Sequence, residues 1–175
     1  MKLLLIWMVV WTLSFLIHEF GHAFAYRRYG GQPWIVLQSF YGYAACNGRF
    51  TRGQQVVISA AGPVVEILFG VAAFLILGAV EGIQPYVRSF LFLFGYICVV
   101  WGGLNLLPIL PLDGGRILEA LWGKGERPVG KVGMVTAVIA AVVLGVVFKF
   151  FLGALFFGFL AYVNYKRSQG VSINI

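Results

Sequence analysis

The sequence has little charge and little cysteine, and each shortage excludes a class of protein. Only 11% of its 175 residues are charged and 61% are hydrophobic, whereas a soluble globular domain is about half apolar and a quarter charged. A soluble domain is thereby excluded, and the composition predicts an integral membrane protein. The two cysteines, Cys46 and Cys98, are too few and too far apart to form a disulfide framework.

The chain also has no dense basic run, although its formal charge is +7. Its Lys and Arg residues stand between apolar segments, which is typical of topology signals and not of nucleic-acid binding. Eight of them fall in two loops on one side, residues 27–55 and 112–131, while Lys2 and Arg88 fall on the other side. By the positive-inside rule, the loops are cytoplasmic and the N-terminus is external. A prokaryotic cell membrane is the expected location.

Long apolar segments, in contrast, are abundant. They predict an all-α polytopic membrane protein, residues 1–175 forming one domain, with these spans: 3–26, 56–80, 87–107, 132–148 and 150–165. A single helix over 132–165 would leave Lys149 near the bilayer centre, at about 3 kcal/mol. We therefore favour a turn near Phe148–Phe150 and five spans over four, so that one or two C-terminal helices follow a three-helix core.

The segments between the spans are short. Residues 34–50, "WIVLQSFYGYAACNGRF", are rich in aromatic and β-branched residues, with Asn47-Gly48 as a turn signal, and predict one or two strands or a hairpin. Residues 114–122 predict a short interfacial helix. Ala23-Phe24-Ala25 imitates a signal-peptidase site, but the apolar run is too long for a signal peptide, and we interpret it as a retained span.

The first span contains the sequence His18-Glu19-Phe20-Gly21-His22, which matches H-E-x-x-H. Residues i and i+4 of a helix share a face, so both imidazoles can bind one ion while the glutamate contacts a water on it. These are the only two histidines of the chain, and an unpaired glutamate inside a membrane costs several kcal/mol. The pattern predicts a metal site, about 22–29 Å along the helix and so toward its cytoplasmic end.

Catalytic zinc needs a third protein ligand. Asp113 is the first candidate, because it follows two prolines at the cytoplasmic end of the third span, and irregular backbone there can line a cavity. Glu66, about a third of the way into the second span, is the second candidate. Glu119, on the interfacial helix, is the third.

Two motifs at matching spacing resemble the site-2 protease family of intramembrane zinc metalloproteases, peptidase family M50. The first is the H-E-x-x-H of His18 to His22, and the second is the N-x-x-P-x-x-x-x-D-G of "NLLPILPLDGG", with Asn105, Pro108, Asp113 and Gly114. Ala61-Gly62-Pro63 is similar to the small-residue motif of the family's intervening helix. The resemblance covers residues 1–122, in a minimal form without a PDZ or CBS domain.

The resemblance implies that His18, His22 and Asp113 bind one zinc ion per chain and that Glu19 is the catalytic base. Asn105 would hold the substrate or stabilise the oxyanion, with helix capping as its structural alternative. Residues 35–52 would form a membrane-associated β element whose edge pairs with an unwound substrate. Many relatives have Asn near Glu66, so Glu66 is open between a role behind the metal ligands, a gate and an ordinary buried acid.

The function expected from these residues is hydrolysis of peptide bonds in or near the transmembrane segments of membrane proteins, as in regulated intramembrane proteolysis. The expected partners are a transmembrane substrate and the lipid bilayer, with no nucleic acid. A membrane metal-binding or transport protein shares the ligands but needs no base. An inactive scaffold that binds transmembrane helices is the third hypothesis. Only the protease requires Glu19 for its activity.

Overall fold

The computed structural model describes residues 2–37 and 42–171, and these residues are mostly helical. The first helix, α1, spans Lys2–Arg28, and two strands follow, β1 over Gln32–Leu37 and β2 over Gly42–Asn47. The other helices are α2 Arg52–Ala79, α3 Pro85–Asn105, α4 Asp113–Trp122, α5 Glu126–Val142 and α6 Phe151–Ser168. The predicted helical fold with a small β element after the first helix is confirmed.

Among the described residues, four helical segments are long and apolar enough to cross a membrane. They are Leu4–Arg28, Arg52–Ala79, Pro85–Asn105 and Glu126–Val147, and they correspond to the first four predicted spans. Helix α6 is not among them, and its last turn carries Lys166 and Arg167. A fifth crossing therefore stays a prediction.

The predicted break before α6 is present. Helix α5 continues into a π-helical turn over Val143–Val147, and α6 begins at Phe151. Between them Lys149 adopts a left-handed backbone with φ of 55°, which reverses the chain. Helices α5 and α6 pack antiparallel. Gly130, near the start of α5, lies against the backbone of Asn164 near the end of α6, and Gly145, in the π-helical turn, lies against Ala154 near the start of α6.

The chain divides into two compact units. The first comprises Met1–Phe50 and Val57–Asn105, and the second comprises Thr51–Val56 and Leu106–Ile175. In the first unit α1 packs against α3, and the core contains Val10, Ala73, Phe94, Ile97 and Cys98. Burial of these apolar side chains contributes about 25 cal/mol per Å².

Two close helix approaches in the first unit depend on glycine. A Cβ atom on Gly21 of α1 would lie 2.7 Å from the carbonyl oxygen of Ala61 in α2. A Cβ atom on Gly70 of α2 would lie 2.9 Å from the carbonyl oxygen of Gly95 in α3. Because real Cβ atoms do not approach so closely, these glycines let α2 contact both neighbouring helices backbone to backbone.

The β element is an antiparallel pair whose register joins Gln32 to Asn47 and Leu37 to Gly42. The prediction of strands here is confirmed. Asn47 is the last residue of β2 and Gly48 follows it, so this pair ends the hairpin and does not form its turn. The connection between the strands lies outside the described residues. Both strands contact α1, which places the hairpin beside the helix that carries H-E-x-x-H.

Candidate metal centre

Helix α1 brings His18 and His22 together on one face, as their spacing predicted. The two ring centroids are 4.8 Å apart and the two Nε2 atoms are 3.1 Å apart. His18, Glu19 and His22 have exposed fractions of 6%, 6% and 8%. The three polar side chains are therefore held inside the protein, where a charge needs a specific partner.

The outer nitrogen of each imidazole contacts an acceptor. Nδ1 of His22 lies 2.7 Å from the carbonyl oxygen of Ile58, and Nδ1 of His18 lies 2.8 Å from Oε2 of Glu66. A carbonyl and a carboxylate only accept, so in both neutral rings Nδ1 carries the hydrogen and donates it. This tautomer leaves the lone pair on Nε2 of each ring, so a metal ion would bind at Nε2.

A glycine of the Ala61-Gly62-Pro63 motif makes room for this arrangement. A Cβ atom added to Gly62 would overlap Nε2 of His22 and would lie 2.6 Å from its Cε1 atom. Only a residue without a side chain lets the imidazole lie flat against α2 at this point. The contact with the His22 ring therefore explains on steric grounds why the Ala61-Gly62-Pro63 motif has a glycine at its centre.

Glu19 is held by the β element. The backbone N–H of Ala44 in β2 donates to Oε2 of Glu19 over 2.5 Å. This bond fixes the orientation of the Glu19 carboxylate. It also shows that this N–H of β2 is directed away from β1, because it bonds to α1 instead of the partner strand.

Asp113 lies in the second unit, as the first residue of α4, with an exposed fraction of 7%. The preceding residues 106–112 are not helical and contain a cis bond between Leu110 and Pro111. The two glycines after Asp113 let this stretch fold onto the start of α4. A Cβ atom on Gly115 would lie 2.6 Å from the backbone nitrogen of Leu110, and one on Gly114 would overlap the carbonyl oxygen of Leu106.

An amide that the sequence analysis missed holds the same stretch. Asn164 of α6 is fully buried; its Nδ2 donates to the carbonyl oxygen of Leu110 over 2.6 Å, and its Oδ1 accepts from the N–H of Leu110 over 3.2 Å. The sequence feature that could have indicated this role is a single amide side chain in the mainly apolar part of α6 before Lys166. Such a residue is costly to bury unless it is bonded, and it marks a specific partner.

Within the first unit, His18 and His22 form a pair of potential metal ligands, and Asp113, the predicted third ligand, belongs to the second unit. Two imidazole nitrogens on one tetrahedral zinc ion are about 3.3–3.4 Å apart, close to the 3.1 Å between the Nε2 atoms. Two nitrogens and one carboxylate oxygen also form a typical catalytic zinc set.

The other candidates for the third ligand have different surroundings. Glu66 is fully buried behind His18, on the Nδ1 side of the ring, and Glu119 lies on α4 near the charges of Glu126, Arg167 and Arg116. Asn105, the last residue of α3, donates to the carbonyl oxygen of Trp101 over 3.2 Å. This is the contact that its structural alternative, helix capping, predicts.

Comparison with known proteins finds two family matches and a curated relative. Residues 11–107, more than half of the chain, match the family described as "Putative zincin peptidase", and residues 80–148 match peptidase family M50. The chain is 31% identical to Zinc metalloprotease MJ0392 of Methanocaldococcus jannaschii over 121 residues, which are 67% of this chain. They are 35% of that relative, so the chain spans about a third of its length.

A solved structure shows the same fold. The site-2 protease from Methanocaldococcus jannaschii superposes with a TM-score of 0.66 at 23% identity, covering 97% of this chain and 81% of that one. The apolar helices and the matching families establish an integral membrane protein. The predicted H-E-x-x-H lies within the zincin match and the second predicted motif lies within the M50 match, and the chain belongs to the family described as "Putative zincin peptidase".

Proposed function

We propose that this protein is an intramembrane zinc endopeptidase that hydrolyses peptide bonds in or near the transmembrane segments of membrane proteins. The observation that carries the proposal is the convergence of the two Nε2 atoms of His18 and His22, 3.1 Å apart, beside a buried glutamate. His18, His22 and Asp113 would hold one zinc ion. When bound, such an ion lowers the pKa of a coordinated water and polarises a peptide carbonyl.

Glu19 is the catalytic base in this proposal. It lies between the two histidines in sequence, and the Ala44 N–H holds one of its carboxylate oxygens. The carboxylate takes a proton from the attacking water and passes it to the amine of the leaving peptide. Asn105 would assist by contacting the substrate, since it ends the helix that precedes the Asp113 stretch.

The substrate segment is proposed to bind as an extended strand. A peptide bond inside a helix is shielded by its own hydrogen bonds, so a transmembrane helix has to unwind before cleavage. The outer edge of β2 reaches Glu19 through Ala44, and an added strand along that edge would bring a carbonyl close to the base. Membrane-tethered regulators are the substrate class that the family resemblance favours.

The orientation in the membrane is also part of the proposal. Arg27 and Arg28 end α1 just beyond the histidines, and the positive-inside rule places that end in the cytoplasm. The N-terminus would then be external and the metal centre near the cytoplasmic side, where water is available. A prokaryotic cell membrane is the proposed location.

The test compares wild type with Glu19→Gln on a model transmembrane substrate in detergent or nanodiscs. We expect about one zinc per chain in both proteins, cleavage by wild type, loss of cleavage with a chelator, and loss of cleavage in the variant. Retained cleavage in Glu19→Gln would refute the mechanism. Zinc flux through liposomes without cleavage would favour the transport protein, and zinc binding with neither activity would favour the scaffold.

A further inference from the structure

Glu66 has no assigned role, and its surroundings are unusual. It is a carboxylic acid with an exposed fraction of 0% in the middle of α2, a helix that is apolar enough to span the membrane. A buried carboxylate is strongly destabilising unless donors and a compensating charge surround it. Its contacts therefore indicate what the side chain does.

Both oxygens of Glu66 accept hydrogen bonds from α1. Oε1 accepts from the hydroxyl of Ser14 over 2.5 Å, and Oε2 accepts from Nδ1 of His18 over 2.8 Å. Ser14 has an exposed fraction of 1% and precedes His18 by one helical turn, so the same face of α1 presents both donors. With one oxygen held by Ser14, the other is aimed at the imidazole.

The two histidines are thus supported differently. His22 donates to the backbone carbonyl of Ile58, a neutral acceptor that no substitution removes. His18 donates to a full carboxylate that belongs to a side chain. A carboxylate behind a ligand imidazole fixes the ring, sets the tautomer and makes the distal nitrogen a better donor to the metal.

We propose that Glu66 is a positioning residue of the metal centre, which fixes His18 with Nε2 toward the ion and makes zinc binding depend on its negative charge. Ser14 in turn fixes the rotamer of Glu66. The proposal rests on the proposed zinc site, which it deepens. Because coupling between two sites is reciprocal, a cation on Nε2 of His18 also stabilises the buried Glu66 carboxylate.

Two substitutions at position 66 separate the effect of the charge from the effect of the side-chain shape. Glutamine at position 66 has the same size and can accept from His18 with its oxygen while its amide group faces Ser14, so Glu66→Gln removes mainly the charge. Glu66→Leu removes the acceptor as well. An ordinary buried acid would affect the metal-free and the zinc-loaded protein alike, whereas a positioning residue affects the stabilisation that zinc adds.

The experiment measures zinc affinity by competition with a chromophoric chelator, together with the zinc-dependent rise in Tm, for wild type, Glu66→Gln, Glu66→Leu and Ser14→Ala. We expect about tenfold weaker zinc binding for Glu66→Gln and up to about 100-fold for Glu66→Leu, with a smaller loss for Ser14→Ala. The d–d absorption bands of the cobalt-substituted protein should shift in both Glu66 variants. Glu119→Gln, the same chemical change on α4, is the matched control with wild-type affinity.

Wild-type zinc affinity in both Glu66 variants would overturn the proposal. So would an equal fall in Tm with and without zinc, since that is the behaviour of a purely structural acid. These outcomes are independent of proteolysis. A wild-type protein that binds zinc but cleaves nothing would refute the proposed function and leave the role of Glu66 standing. Cleavage by wild type, together with wild-type zinc affinity in the Glu66 variants, would refute the role of Glu66 and leave the proposed function standing.

Discussion

The side-chain amide of Asn164 in α6 bonds both backbone groups of Leu110, the N–H and the carbonyl oxygen, three residues before Asp113. The same Nδ2 atom also contacts the carbonyl oxygen of Leu160 over 2.8 Å. A side chain near the end of the sequence thereby replaces the missing secondary structure of the stretch that leads to the predicted third ligand.

Replacing Asn164 with Leu should lower the free energy of unfolding by about 2–4 kcal/mol, because two buried backbone groups of Leu110 lose their partner and each costs about 1–3 kcal/mol. Unfolding in mixed micelles measures the change. Tyr165→Phe, at an exposed neighbour on the same helix, is the control and should stay within about 0.5 kcal/mol of wild type. A loss of under 0.5 kcal/mol in Asn164→Leu would show that the bonds contribute little.

Gly62→Ala should weaken zinc binding by at least about tenfold, because the added methyl group would occupy the position of the His22 ring. The variant forces the imidazole away from the point where the two Nε2 atoms meet. Gly78→Ala, on the same helix, is the matched control, since a Cβ atom at Gly78 would have no neighbouring atom within 4 Å. Chelator competition measures both, and equal affinities would contradict the steric account of the motif.

Glu119 lies outside the spanning helices, and burial raises its pKa above the ordinary value of 4.5, with a further increase from Glu126 and opposing effects of Arg167 and Arg116. The pKa of this carboxyl group is higher in the folded state than in the unfolded state, so its ionisation destabilises the folded state. The destabilisation is therefore present at neutral pH and is lost as the pH falls below the ordinary pKa. Glu119→Gln should therefore raise Tm at pH 7 and leave it unchanged at pH 4. Glu81→Gln, which removes a charge from an exposed loop, controls for net charge. A gain in Tm that is equal at both pH values would contradict this assignment.

Lys149 is the non-glycine residue with a left-handed backbone in the described ranges, with φ of 55°. This conformation costs an L-residue about 1–2 kcal/mol, and glycine adopts it readily at the expense of some chain entropy. Lys149→Gly should raise the free energy of unfolding by about 0.5–1 kcal/mol. Lys149→Ala removes the same charge but keeps the Cβ atom, so a gain in this variant as large as that of glycine would assign the effect to the charge.

Much of the helical framework was predictable, because its signals are local. The apolar runs predicted the first four membrane-length helices. The prolines after Asn105 predicted the end of α3, and the charged Lys149 predicted the break before α6. The H-E-x-x-H spacing gave the two imidazoles on one face of α1. The turn signal at Asn47-Gly48 did not locate the reversal of the hairpin, because a turn dipeptide fits the end of a strand as well as its reversal.

The support around the ligands was not predictable. Ser14 and Glu66 are 52 residues apart in sequence, and Asn164 is 54 residues from Leu110. The local sequence around each of these residues does not identify its partner. The sequence alone left Glu66 open between a third ligand, a role behind the ligands, a gate and an ordinary buried acid.

The sequence by itself determined that this is a membrane protein with two histidines and a glutamate on a spanning helix, because hydrophobic length and helical periodicity are properties of contiguous residues. Only the tertiary structure decided that Nδ1 of each histidine is hydrogen-bonded, so that Nε2 would face an ion, and that Glu66 lies behind His18. Those choices depend on hydrogen bonds between helices, and such bonds form only where glycines such as Gly21 and Gly62 let the backbones come close enough.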